Sequence, residues 1–178
     1  IKFPDVRRNL PKMGTYDRQA PETWILELDC SEDEAWRRLS PACRNRVRKA
    51  QNSGVSIVEA QERECVTELY AMFAAAHAKR NTTTSKSLRY YYDLWDSLKP
   101  AGLIKVLFAE YQGKRIASAT FVMNTDTGYL FSAGSHSEHN KLAPNNLLHW
   151  HFISWAARNG LRRYDMVGKG IDTIDHFK

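Results

Sequence analysis

Cysteine is scarce: the three present, Cys30, Cys43 and Cys65, are an odd number with no C-x-x-C spacing. Neither a disulfide framework nor a zinc cage fits that pattern, which reads as three reduced thiols in a cytosolic protein. Long apolar runs are missing too, since no stretch approaches the roughly 18 residues that a membrane span requires. The first residues also lack the apolar core of a signal peptide. Membrane contact is therefore expected to be peripheral, or made by parts outside this sequence. G-x-S-x-G and H-E-x-x-H are both absent, so nothing supports a serine acyl-enzyme or a zincin. His149 and His151 stand two apart in a helical segment and point to different faces. No metal site is expected. Cys43 and Cys65 fall in predicted helices, where packing is their expected role.

What is present suffices for one core: 178 residues, 43% of them hydrophobic, a length at which roughly 70% of the unfolded chain's surface can be buried. A single domain is the prior. The chain begins with Ile1 and stops in the run "GIDTIDHFK", and is expected to be a piece of a longer protein. Its net charge of +6 and pI of about 9.3 favour polyanionic partners, namely phosphates, nucleic acid or an anionic membrane surface, without choosing among them.

Patterning predicts the elements. "TWILELD" reads as a strand, and Ser31 with Glu34 makes a capping box for the helix after it. Pro41 starts a second helix, which Gly54 stops; it carries Arg44, Arg48 and Lys49 close in sequence to Arg37 and Arg38. That densest basic stretch reads either as a solvated face or as a phosphate-facing patch. "VSIVEA" is a strand, residues 62–79 an amphipathic helix, and Ser85 or Ser87 caps another carrying Leu88, Tyr91, Tyr92 and Trp95 inward. Three strands with Gly-containing turns then imply antiparallel hairpins. A helix from about Asn145 to Asn159 and a short strand "RRYDMVG" follow. The order is β-α-α-β-β-β-α-β, preceded by a strand and two helices.

"RNRVRKAQNSGVSIVEA", "GSHSEHNKLAPNNLLHWHFISWAARNGLRRYDMVG" and the final "HFK", in that order, resemble the second lobe of the FemABX family. The element order is similarly that of the GNAT N-acyltransferase fold. The resemblance runs from about Thr23 to Lys178. It implies an α+β fold with a central, mostly antiparallel twisted sheet flanked by helices. Residues 1–53 would join from a preceding lobe, and residues 54–178 would form a GNAT-like lobe, incomplete at its C-terminus. It further implies transfer of an aminoacyl group from aminoacyl-tRNA to an amine of a lipid-linked or nucleotide-linked peptidoglycan precursor. That reaction would occur in the cytoplasm, with peripheral contact at the anionic inner membrane face, and a first lobe would be missing. Apart from the tRNA co-substrate, no cofactor is implied.

One departure bears on the donor. Acetyl-CoA enzymes of the GNAT type usually carry R/Q-x-x-G-x-G/A before a helix, whereas "SHSEHNKLAPNN" has no glycine. Acyl-CoA is thus the alternative donor rather than the first, although the helix start near Asn145 would still favour an anion.

The resemblance also nominates residues. Phe177-Lys178 matches a family Phe-Lys pair, in which Lys178 would place positive charge near the reacting carbonyl or the donor's terminal nucleotide while Phe177 shapes the pocket. The competing reading is a buried aromatic beside a surface lysine. Asp165 would orient Lys178 or the amine, or else cap the turn at Gly168. Arg80 would meet precursor phosphates, or else serve as a cation at a helix C-terminus. Arg48 and Lys49 are candidates for phosphate, and Asn145 and Asn146 are read as caps first and ligand contacts second. A third hypothesis keeps the basic groove without catalysis, as an anion-binding module.

Overall fold

The computed structural model describes residues 23–167. The α+β architecture expected from the sequence is the one adopted, with every predicted element in place. β1 spans Ile25–Glu27, α1 Glu32–Arg38, α2 Pro41–Asn52, β2 Ser56–Glu59, α3 Cys65–Ala78 and α4 Leu88–Leu98. Then come β3 Ile104–Tyr111, β4 Lys114–Met123, β5 Thr127–Ser135, a 3-10 turn Ser137–Leu142, α5 Pro144–Arg158 and β6 Arg163–Asp165.

Local chemistry sets the boundaries. Ser31, Ser40 and Ser87 each cap a helix, their side-chain oxygens accepting from Glu34 N, Cys43 N and Tyr90 N, which satisfies an otherwise orphaned N–H. Of the two serines considered for α4, Ser87 is the one used. Gln112 and Gly113 both have positive φ, the turn geometry that matches the twist of a β3–β4 hairpin.

The six strands form one sheet in the order β1-β6-β5-β4-β3-β2. All pairs are antiparallel except β5 with β6, which run parallel. Alternation divides the side chains between two cores. Leu107, Ala109, Ala119 and Phe121 pack with α2 and α5 residues such as Val47, Leu148 and Phe152. Val106, Phe108 and Val122 pack with Leu69, Met72, Tyr91 and Trp95 of α3 and α4. On the first face Phe121 and Phe152 stack with centroids 4.0 Å apart. Gly128 makes room for that ring, because a Cβ there would lie 2.5 Å from Phe152. Residues 25–52 share this sheet and core: β1 pairs with β6, and α2 packs along α5.

Two features prepare a site. Thr120 faces Ser132 and Phe121 faces Leu130, so Phe131 is an extra residue in β5, a β-bulge. In addition, β6 pairs with β5 only at Thr127, Gly128 and Tyr129. Beyond Tyr129 the longer strand has no ladder partner on that edge among the described residues.

Candidate functional site

That unpartnered edge of β5, from Leu130 to Ser135, leads to the start of α5 and to a cavity of about 400 Å³. Among the described residues three cations line it: Arg46 and Lys49, which are i and i+3 on α2 and so share a face, and Lys141 from the 3-10 turn. Asn140, Asn145 and Asn146 complete the polar wall, and no carboxylate among the described residues belongs to it. The helix adds to the field. α5 has fifteen residues and no side-chain cap at its start, so its first N–H groups and the positive end of its dipole are available to an anion.

The helix begins one residue earlier than the sequence suggests. Pro144 occupies the first turn, and the preceding cap position is Ala143, held in the left-handed region at φ 56° and ψ 43°. Proline fits there because it has no N–H to lose, while an alanine at positive φ is a strained choice. Asn145 and Asn146 are therefore not caps, which corrects the first reading of them. Asn145 Nδ2 reaches Ser135 Oγ at 3.4 Å and so joins the helix start to the end of β5. Its Oδ1 is buried with no hydrogen-bond partner among the described residues. Asn146, 6% exposed, places Nδ2 3.8 Å from Cys43 Sγ.

The basic helix proves to be three things. Arg44 Nη1 donates to the carbonyls of Arg37 and Leu39, tying down the C-terminal end of α1. Arg48 lies over the Trp36 ring with its guanidinium carbon 5.4 Å from the centroid, a packing contact of the cation–π kind. Lys49 alone of the two α2 residues nominated from sequence lines the cavity, beside Arg46, which sequence reasoning passed over. Lys141 was also missed. Arg46 carried a usable signal, its i, i+3 spacing to Lys49, but Lys141 lies too far along the chain for any local pattern to bring it there.

On the opposite face of the sheet, α3 comes unusually close to β5. A Cβ on Gly134 would sit 2.5 Å from the Met72 carbonyl and 2.7 Å from Phe73 N, so only glycine lets the helix rest on the strand. One turn on from Phe73 is His77, whose ring meets Phe73 edge-on at 4.6 Å. Lys79 Nζ donates to Ser137 Oγ at 2.8 Å, clasping the end of α3 to the turn beyond β5. Arg80 follows, exposed, with no side-chain partner among the described residues. The bulged Phe131 stacks on Tyr90 at 6.2 Å and 11°, and Lys86 Nζ sits 4.8 Å from the Tyr90 centroid.

Asp165 closes β6. It is 8% exposed, and its Oδ1 accepts from Thr23 Oγ1 and, at 2.8 Å, from Val167 N. The carboxylate is thus engaged in holding the chain as it leaves the strand. Phe177 and Lys178 lie outside the described residues. Among those described, no helix is long and apolar enough to cross a membrane.

A bulged strand, a parallel neighbour that ends partway along it, and an uncapped helix start beside its far end suit an acyl-transfer scaffold of the GNAT type. Residues 37–178 match the model of the acetyltransferase (GNAT) domain, and the chain belongs to that family. In fold it is similar to FemX, at TM-score 0.74 and 14% identity over 84% of this chain and 53% of that one. It thus spans about half the length of FemX. The C-terminal domain of a putative lysylphosphatidylglycerol synthetase from Agrobacterium fabrum gives 0.58 at 13% identity, covering 88% and 49%. A predicted acetyltransferase from Clostridium acetobutylicum, solved with acetyl-CoA, gives 0.51 at 13%, covering 65% and 81%. No curated protein matches.

Proposed function

We propose that this chain is one lobe of an aminoacyltransferase, passing an aminoacyl group from aminoacyl-tRNA to an amine of a peptidoglycan precursor. The observation that carries this reading is the construction of the anion cavity. Its charge comes from side chains, Arg46, Lys49 and Lys141, instead of a glycine loop whose backbone wraps a pyrophosphate. Separate cations suit the phosphodiesters of a terminal nucleotide. The half-length match to FemX supports a second lobe, and the cytoplasmic, membrane-facing setting is what the family resemblance implies.

In this reading the donor's phosphates rest in the cavity and its ester lies along the free edge of β5. The attacking nitrogen forms a C–N bond with the ester carbon, and the C–O bond to the ribose breaks. N–H groups on the unpaired β5 edge stabilise the oxyanion between those events, fixed dipoles that need no reorganisation. Lys178 would add charge beside the carbonyl, with Phe177 shaping the pocket, and Arg80 would hold acceptor phosphate.

A second reading keeps the scaffold and uses acyl-CoA; the similarity in fold to the protein solved with acetyl-CoA favours it. Incubating the full-length protein with precursor and either labelled aminoacyl-tRNA or labelled acetyl-CoA separates the two. An amide-linked amino acid on the precursor is expected. Acetylation from acetyl-CoA, with no transfer from any charged tRNA, would sink the tRNA reading.

A further inference from the structure

We propose that His77 Nε2 is the base that takes the proton from the acceptor amine, a role that rests on the acyl-transfer reading above. Thr82 Oγ1 lies 3.1 Å from the His77 carbonyl oxygen and 2.9 Å from His77 Nδ1. With its hydrogen on the carbonyl the hydroxyl accepts from Nδ1–H, and this is the tautomer the proposal requires. In it Nε2 keeps its lone pair, with no partner among the described residues.

The ring is also held in place. Phe73 packs against it edge-on, Thr82 fixes its orientation, and the contact of Met72 and Phe73 with Gly134 sets α3 over the end of β5. The cavity cations stand on the α2 and α5 face of the sheet, and His77 stands on the α3 face. A donor entering from one side and an amine from the other would meet at the β5 edge.

Burial first, and then charge, favour the neutral imidazole. Burial, and then the Arg80 charge, lower its pKa from the ordinary value, so the basic form prevails at neutral pH. Of the other cations nearby in the chain, Lys79 is bound to Ser137 across the gap and Lys86 sits over Tyr90. On the 3-10 turn Glu138 interacts with His136, His139 and Lys79. The neutral amine nitrogen loses a proton to Nε2 as the C–N bond forms, and the same proton passes from Nε2 to the ribose oxygen as the C–O bond breaks, so the step balances without a co-reactant.

The test uses the full-length protein. His77→Ala should lower kcat/KM by about 10²- to 10⁴-fold, remove the acid limb that titrates below the ordinary imidazole value, and recover part of the rate with added imidazole. His77→Gln, which keeps a side-chain amide near Thr82, should be as slow while melting like the parent. Unchanged rates, or an acid limb that persists in His77→Ala, would overturn the base and leave the acyl-transfer reading intact. Nitrogen NMR of the wild-type ring gives a readout free of activity. A proton on Nε2, or titration above the ordinary value, would overturn the proposal even in an active enzyme. If wild-type protein transfers from neither donor, the acyl-transfer reading fails and the base with it.

Discussion

A cation contributes to a phosphate site only if nothing else has claimed it. Arg44 is spent on the carbonyls of α1 and Arg48 on the face of Trp36, which leaves Arg46, Lys49 and Lys141 at the cavity. Replacing any one of these by Ala is expected to weaken donor binding by about tenfold, or about 1.4 kcal/mol, with a smaller effect on kcat. Equilibrium binding of the donor checks this, with Arg89→Ala on α4 as the control. The Arg89 side chain pairs with Asp93 on the exposed side of that helix. Lys49 was legible in the sequence because it lies in the densest basic run, and Arg46 could have been. Lys141 was not, since only the docking of the 3-10 turn beside α2 brings it into place.

At the scale of the elements, the order was readable throughout, because periodicity and capping are local properties. Ser31, Ser40 and Ser87 mark helix starts and Gly54 and Gly160 mark stops, both at positive φ. Hidden from such patterns were the bulge at Phe131 and the early end of the β5–β6 ladder. Both depend on how strands meet, and they shape the β5 edge that leads to the candidate site. The contact between α3 and β5 is the most constrained joint near it. Gly134→Ala must push the helix backbone away, since the clash is with the Met72 carbonyl rather than a movable side chain. Overpacking of this kind costs about 1 to 3 kcal/mol, and thermal melting should show a lower Tm. In the proposed reaction acceptor use should suffer more than donor binding, because His77 lies on α3 and Arg80 just beyond its end while the cavity cations do not.

The whole molecule carries an excess of positive charge, yet its stability also depends on a carboxylate. Glu59 on β2 meets Lys99 at 3.2 Å and Lys105 at 2.5 Å. Burial works to raise its pKa, but the hydrogen bonds and charges of Lys105 and Lys99 prevail and lower it below the ordinary carboxylate value. A carboxyl depressed in the folded state stabilises the fold above its unfolded pKa and loses that contribution as pH falls through the folded one. Denaturant titration at a series of pH values should therefore show wild type and Glu59→Gln converging in acid and diverging as pH rises past the unfolded value. The same positive charge makes donor binding sensitive to salt. Each phosphate neutralised on a single strand contributes about 0.7 to the slope of log affinity against log salt. The decisive measurement is that slope for charged tRNA, taken with the wild-type full-length protein and with Arg46, Lys49 and Lys141 all replaced by alanine. A slope shallower by about 1 to 2, equivalent to two or three lost phosphate contacts, is expected, with affinity lost at low salt. Equal slopes and equal affinities would show that the donor's phosphates do not lie in this cavity.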